Sequence, residues 1–212
     1  MYCGVNISKP ADGKFEDFSA WMQEWMGIMA EHEVTHSIKV ASIGEAEPYV
    51  YAITMAKDAR EFGTKMDAVR NSQSFKTWYG KAANSRVSHG VDSFMMDLQE
   101  GYDTNPQISE GVVVSTIWSV DNLLEFYTNV AKAREIHEAN GALVRAWTIY
   151  GGRYAGAMAY NMSFESMTAY GDAFENSRGA MLEMNREIIA NGTISGRVLA
   201  GTILENPLII NS

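Results

Sequence analysis

An α+β protein built from two consecutive β-α-β-β-α-β units is predicted by three observations. Short alternating runs of strand type bracket longer runs of helical periodicity. The second half of the chain repeats the kinds of segment in the first half, in the same order. Residues 30–74 also align without a gap on residues 135–179, at a separation of 105 positions. Identities fall at His32/His137, Glu33/Glu138, Ala41/Ala146, Tyr49/Tyr154, Ala52/Ala157, Asp67/Asp172, Ala68/Ala173, Asn71/Asn176 and Ser72/Ser177. Ordinary amino-acid usage would give roughly three in such a window.

In the first half, Tyr2 to Ser8 alternates as a strand does. Phe18, Trp21, Trp25, Ile28 and His32 form one helical stripe. Ser37 to Ile43 and Tyr49 to Met55 read as strands joined by the polar turn Gly44 to Pro48. Asp58 followed by Glu61 is a capping-box-like helix start, and the helix it opens is interrupted near Asn71-Ser72. Val87 to Met96 is the last strand of the half.

The second half begins with a strand from Val112 to Trp118. Leu123, Phe126, Val130, Ala133 and His137 make the matching stripe. Leu143 to Tyr150 and Tyr154 to Tyr160 read as strands around Gly151-Gly152, a two-residue hairpin signal. Ser163 is the expected start of the next helix, and Ile194 to Leu204 the closing strand. Gln99 to Gly111 holds Pro, Gly and Asn without apolar periodicity, which marks a linker. The units are therefore residues 1–98 and 112–212, with residues 99–111 between them.

Each unit is a ferredoxin-like arrangement, in which the sheet carries helices on one face only. Two bare faces can cover each other. The expected architecture is two tandem ferredoxin-like repeats closing into a pseudo-twofold α+β barrel with helices outside.

The segments 157–179 and 52–74 resemble the strand-to-helix passage of the dimeric α+β barrel proteins. That group includes the NIPSNAP proteins and the antibiotic-biosynthesis monooxygenases. The resemblance implies the barrel fold and a range of activities, among them cofactor-independent oxygenation and isomerisation, haem handling, and none at all. A shared fold does not select among them.

Composition narrows the partners. The chain has 212 residues and a formal net charge of −9, with Lys and Arg scattered. A nucleic-acid binder needs a basic face, so nucleic acid is not expected, and neither is an anionic membrane surface. The single Cys3 excludes an internal disulfide and a cysteine-based metal site. Residues 1–8 lack a signal-peptide pattern, and no apolar run is long enough to span a bilayer, so a cytoplasmic location is expected. Homo-oligomerisation stays open. There is no phosphate loop, nucleophile elbow or dinucleotide fingerprint, and no cofactor is expected.

One motif asks for a metal. Residues 32–36, His-Glu-Val-Thr-His, have zinc-protease spacing. A zinc site needs both histidines on one continuing helix. The aligned copy, His137-Glu138-Ala139-Asn140-Gly141, has no second histidine and ends in a helix-stopping Asn-Gly. The helix is expected to stop near Val34-Thr35, which leaves His36 beyond it and no metal bound. His32 and His137 then stand either as helix-end imidazolium groups facing the negative dipole end, or as a pair serving a pocket as bases or as haem ligands.

The hairpin offers a pocket of its own. With a two-residue turn, Ile149 would pair with Tyr154, Trp147 with Gly156, Arg145 with Met158 and Leu143 with Tyr160. One face of the hairpin would then be large and charged and the other small. The large face is assigned to the barrel interior, together with Tyr49 and Tyr51 of the first half. Arg145 would anchor an anion, and Trp147, Tyr154, Met158 and Tyr160 would shape an apolar slot. Asn6 would add a polar group. Two functions follow: an oxygenase- or isomerase-type enzyme acting on an aromatic or apolar carboxylate, or a non-catalytic binding or assembly protein. A solid interior would favour the second.

Overall fold

The computed structural model describes residues 1–44, 48–105, 111–192 and 195–205, with the side chains of 82 and 83 left aside. Eight strands and five helices alternate along the described residues. The first half is β1 (Tyr2–Pro10), α1 (Phe15–Glu31), β2 (Thr35–Ile43), β3 (Val50–Ala56), α2 (Ala59–Asn71), α3 (Gln73–Ser85) and β4 (Ser88–Leu98). The second is β5 (Val112–Val120), α4 (Leu123–Glu138), β6 (Leu143–Ile149), β7 (Met158–Phe164), α5 (Met167–Ala190) and β8 (Gly196–Glu205). The Gly44–Pro48 turn, residues 106–110 of the linker and Ile194 fall wholly or partly outside the described residues.

The strands are antiparallel and close into one ring, in the order β1-β3-β2-β8-β5-β7-β6-β4. Each half contributes four neighbours, the last strand beside the first, then the third and the second. Two seams join the halves. One pairs Val40 and Ala41 with Glu205 and Leu204; the other pairs Met96 to Leu98 with Ile149 to Trp147.

Local chemistry sets the helix boundaries. The Asp58 carboxylate accepts the Glu61 amide at 2.8 Å, and the Glu61 carboxylate accepts the Lys57 amide at 2.7 Å. Two backbone donors are thus satisfied reciprocally where a helix start leaves them orphaned. Ser72 ends α2 and caps α3 at once: its hydroxyl accepts the Phe75 amide at 3.1 Å. This is the predicted interruption. The second half has no such break, and α5 runs unbroken for 24 residues.

The halves correspond at a separation of 108, not 105. Met158 and Phe164 bound β7 and stand 108 positions after Val50 and Ala56, which bound β3. Ser166 caps α5 through the Ala169 amide and stands 108 after Asp58. Both first helices of the halves end in the same six-residue closure, Val34 N–H to Met29 O and Ala142 N–H to His137 O, each at 3.0–3.1 Å. His137 therefore matches Met29, and Gly141 matches Glu33, both with positive φ. The identities at 105 come from neighbouring segments of similar composition, slipped by three residues.

That slip moves two expectations. The α5 cap is Ser166 and not Ser163. The β6–β7 turn is not the pair Gly151-Gly152 but a loop from Tyr150 to Ala157, closed by Ile149 N–H to Ala157 O at 3.0 Å and Gly156 N–H to Ile149 O at 2.8 Å. Arg145 pairs with Asn161 and Trp147 with Ala159. An odd shift of register reverses which side chains of β7 face inward.

The barrel interior is an apolar cluster of Cys3, Val5, Ile7, Ile53, Phe94, Trp147 and Ile149, among others. Outside it, α1 packs Phe18 and Met22 on Ile38, Val50 and Ala52. On the second half, Phe126 and Val130 of α4 pack on Val144, Ala146, Met158 and Tyr160. A stack of Trp21, Trp25 and Trp78 joins α1 to α3, with ring centroids of the Trp21–Trp78 pair 4.3 Å apart.

Candidate functional site

Alternation along β2, β3, β6 and β7 sends a defined set of side chains into the ring. Lys39 enters from β2, Tyr51, Ile53 and Met55 from β3, and Arg145 and Trp147 from β6. Ala159, Asn161 and Ser163 enter from β7. They bound a cavity of about 90 Å³. A single water needs roughly 10–15 Å³, so the barrel is not filled solid. Exposed Arg153 also lines it, beside Tyr154 at the end opposite the linker. Arg153 donates to the Tyr154 hydroxyl at 2.6 Å, lies over its ring at 4.7 Å, and pairs with Asp92 at 3.2 Å.

The linker end of the cavity is cationic. Arg145 is 5% exposed and Lys39 is fully buried. Arg145 Nη2 donates to the Asn105 carbonyl at 2.6 Å and lies 3.6 Å from the Asp103 carboxylate. Lys39 Nζ donates to the Gly111 carbonyl at 2.9 Å. Both cations thus hold the linker from below. Burial lowers the Arg145 pKa, an effect Asp103 opposes. Burial alone brings Lys39 down to about 8. Cys3 nearby is pushed up to about 12 by burial, so its thiol stays protonated.

Two polar atoms at this end are buried without a partner among the described residues. The Trp147 indole N–H has no acceptor, although the side chain is 1% exposed. Asn161 gives its Nδ2 to the Ser115 hydroxyl at 2.7 Å and leaves its Oδ1 unengaged. Native structures rarely leave buried donors idle.

Of the side chains assigned to a ligand from sequence, Arg145, Trp147, Tyr154 and Tyr51 line the cavity. Tyr49 packs against its wall. Met158 and Tyr160 do not enter: the three-residue slip turns them outward under α4. The interior takes the small residues of β7 because Trp147 already fills the space across from them. Asn6 is exposed on the outer face of β1, where neighbouring Gly4 admits the Phe62 ring. His32 and His137 lie at the ends of α1 and α4, outside the cavity. Burial lowers the His137 pKa, so it is not the imidazolium a dipole partner would be.

Lys39 was legible only indirectly. It is a lysine in mid-strand between Ile38 and Val40, and its register fell on the wrong residue of the second half. At the true separation of 108, Lys39 matches Trp147, and Arg145 matches Ser37.

The His-Glu-Val-Thr-His motif has another use. α1 ends at Glu31 and β2 begins at Thr35, so the two histidines do not share a helix face. His36 accepts the Trp25 indole N–H on Nε2 at 2.9 Å and meets the Thr54 hydroxyl through Nδ1 at 2.8 Å. Both ring nitrogens serve the packing of α1 on the sheet. Among the described residues, no cluster of His, Cys, Asp or Glu could hold a metal ion.

Burial lowers the His36 pKa from 6.5 to about 3. Between those values the unfolded chain binds a proton that the folded chain refuses. Stability should therefore fall on acidification through this window, by roughly 2 kcal/mol at about pH 5, with no contribution above it. Urea melts at neutral pH and near pH 5 measure the difference. It should shrink in His36→Gln, whatever that variant's absolute stability.

None of the four histidines lines the cavity, because His36 and His89 also face outward. A haem iron would find no imidazole among the residues that line the cavity. No helix of the described residues is long and apolar enough to cross a membrane.

No family model matches the chain, and no curated protein matches it. Solved structures do. A protein described as a candidate monooxygenase from Fusobacterium nucleatum superposes with a TM-score of 0.62 at 13% identity, over 97% of this chain and 94% of that one. Another described in the same way, from Lactobacillus acidophilus, gives 0.56 at 8% identity, over 96% and 92%. A haem-binding protein from Thermus thermophilus gives 0.55 at 10% identity, over 96% and 90%. Likeness at this identity shows the fold alone: the chain is an α+β protein that shares its fold with these structures.

Proposed function

We propose that the protein binds a small aromatic or apolar carboxylate inside its barrel. The ligand would be turned over by a cofactor-independent oxygenase or isomerase reaction. The observation that carries this reading is Arg145, a buried guanidinium in a cavity whose walls also include the apolar side chains Val5, Ile53, Met96 and Trp147. An apolar slot with one or two cations selects an acid with an apolar body. The chain is read as two tandem ferredoxin-like units, 1–98 and 112–212, joined by the 99–111 linker, which the strand order of each half supports. The monooxygenase-like neighbours favour this reading over a NIPSNAP-like one. A cytoplasmic location is part of the same proposal.

The test is thermal. Millimolar benzoate or phenylacetate should raise the melting temperature by several degrees, by mass action on the folded state. Oxygen consumption with hydroxylated analogues then tests turnover. A melt unmoved by every acid tried would remove the anion site. It would leave the second reading, a binding or assembly protein, favoured by the exposed apolar side chains Leu124, Ile189 and Leu182.

A further inference from the structure

β2 and β6 stand four places apart in a ring of eight strands, so they face each other across the barrel. Lys39 on β2 and Trp147 on β6 occupy matching places on these opposite walls, 108 positions apart, and both line the cavity. Between them lie an amine and an idle indole N–H. Arg145 is two residues before Trp147 on the same face of β6, roughly 6.6 Å along the strand.

A ligand held by Arg145 through its carboxylate would thus present its far end between Lys39 and Trp147. Among the described residues the indole N–H has no acceptor, and a carbonyl oxygen placed there would serve as one. Its carbon would then face the lysine. We infer that the cavity takes an aldehyde or ketone that carries a carboxylate, and that Lys39 forms an imine with it. This rests on the reading of the cavity as an anion site.

The step needs no outside reagent. The neutral amine adds to the carbonyl carbon, giving a carbinolamine. The nitrogen gives up its two hydrogens as the oxygen leaves as water, and a C=N bond replaces C=O. The Trp147 N–H supports the oxygen during addition, while Arg145 keeps the carboxylate in place. Burial supports the reactivity, because an amine that titrates near 8 is partly neutral at neutral pH. Lys39 would exchange its hydrogen bond to the Gly111 carbonyl for the new bond.

The probe is 4-carboxybenzaldehyde, whose carboxylate and aldehyde lie at opposite ends of one ring. The full-length protein is incubated with it and cyanoborohydride, which traps an imine as a stable secondary amine. Peptide mapping should find Lys39 labelled at least roughly tenfold faster than exposed Lys14 or Lys81, the advantage a lowered amine pKa confers. Benzoate should slow that label in the unmodified protein, and benzaldehyde, which lacks the carboxylate, should give it far more slowly. Lys39→Met should lose the site-specific label while remaining folded, its lost hydrogen bond to the Gly111 carbonyl being offset in part by removal of a buried charge. Lys39 labelled no faster than exposed lysines would overturn the inference, as would labelling indifferent to benzoate. If benzoate still raises the melting temperature in that case, the imine falls and the anion site stands. If it does not, both fall.

Discussion

Gly152→Ala should destabilise the protein by about 3–5 kcal/mol, while Gly151→Ala beside it should change stability by no more than about 0.5 kcal/mol. Gly152 has φ +81°, a region costly to a residue with a Cβ, and the Cβ itself would lie 2.0 Å from the Ser93 carbonyl oxygen. That oxygen belongs to β4, which cannot retreat without disturbing its pairing with β1. The loop is also tied down on either side: Tyr150 N–H donates to Met95 O at 2.8 Å, and Arg153 pairs with Asp92. At Gly151 nothing lies within 4 Å of a new Cβ, and φ is not positive. Either favoured two-residue hairpin turn would require positive φ at its first glycine, Gly151, which does not have it. Equal losses in the two variants, measured by chemical denaturation, would restore the short turn and overturn the observed register.

Arg145→Met should lose about 2–3 kcal/mol and all response to benzoate. The guanidinium holds the linker through the Asn105 carbonyl at 2.6 Å, a charge-assisted bond worth about 1.5–3 kcal/mol. Asp103 adds little, because it is half-exposed and 3.6 Å away. Asp103→Asn should therefore cost less than about 1 kcal/mol. Removing a buried charge gives part of the loss back. At this chain length the change corresponds to a fall of roughly 4–10 °C in Tm. A variant that melts at or above wild type would show that Arg145 does not hold the linker and serves a ligand alone.

The kinds and order of elements were legible because periodicity reports burial directly. Phe18 and Ile28 on α1, or Ile53 and Met55 on β3, are buried where their spacing places them. The break at Ser72 was legible because capping chemistry is local. Register was not. β7 reads Met-Ala-Tyr-Asn-Met-Ser-Phe, large on one face and small on the other. Either face can be packed, depending on what stands opposite. The large residues fit under α4 beside Phe126 and Val130, and the small ones sit across from Trp147. Only the loop length decides between them, and two adjacent glycines suggested one shorter than the chain adopts. The cavity's second cation was hidden by the same slip, which set Val40 rather than Ser37 against Arg145.

The two seams carry a further consequence. β1 and β4 pair from Tyr2 to Pro10, whereas β4 and β6 meet only over Met96 to Leu98. The other seam, between β2 and β8, is as short and is interrupted by a bulge. A ring has no first or last strand, so each described strand has a neighbour on both sides, which limits the backbone edge offered to another chain. That protection lasts only while the seams hold. Local opening there would expose four strand edges at once, long before the halves lose their own cores. Resistance to aggregation should then follow breathing of the seams rather than global unfolding.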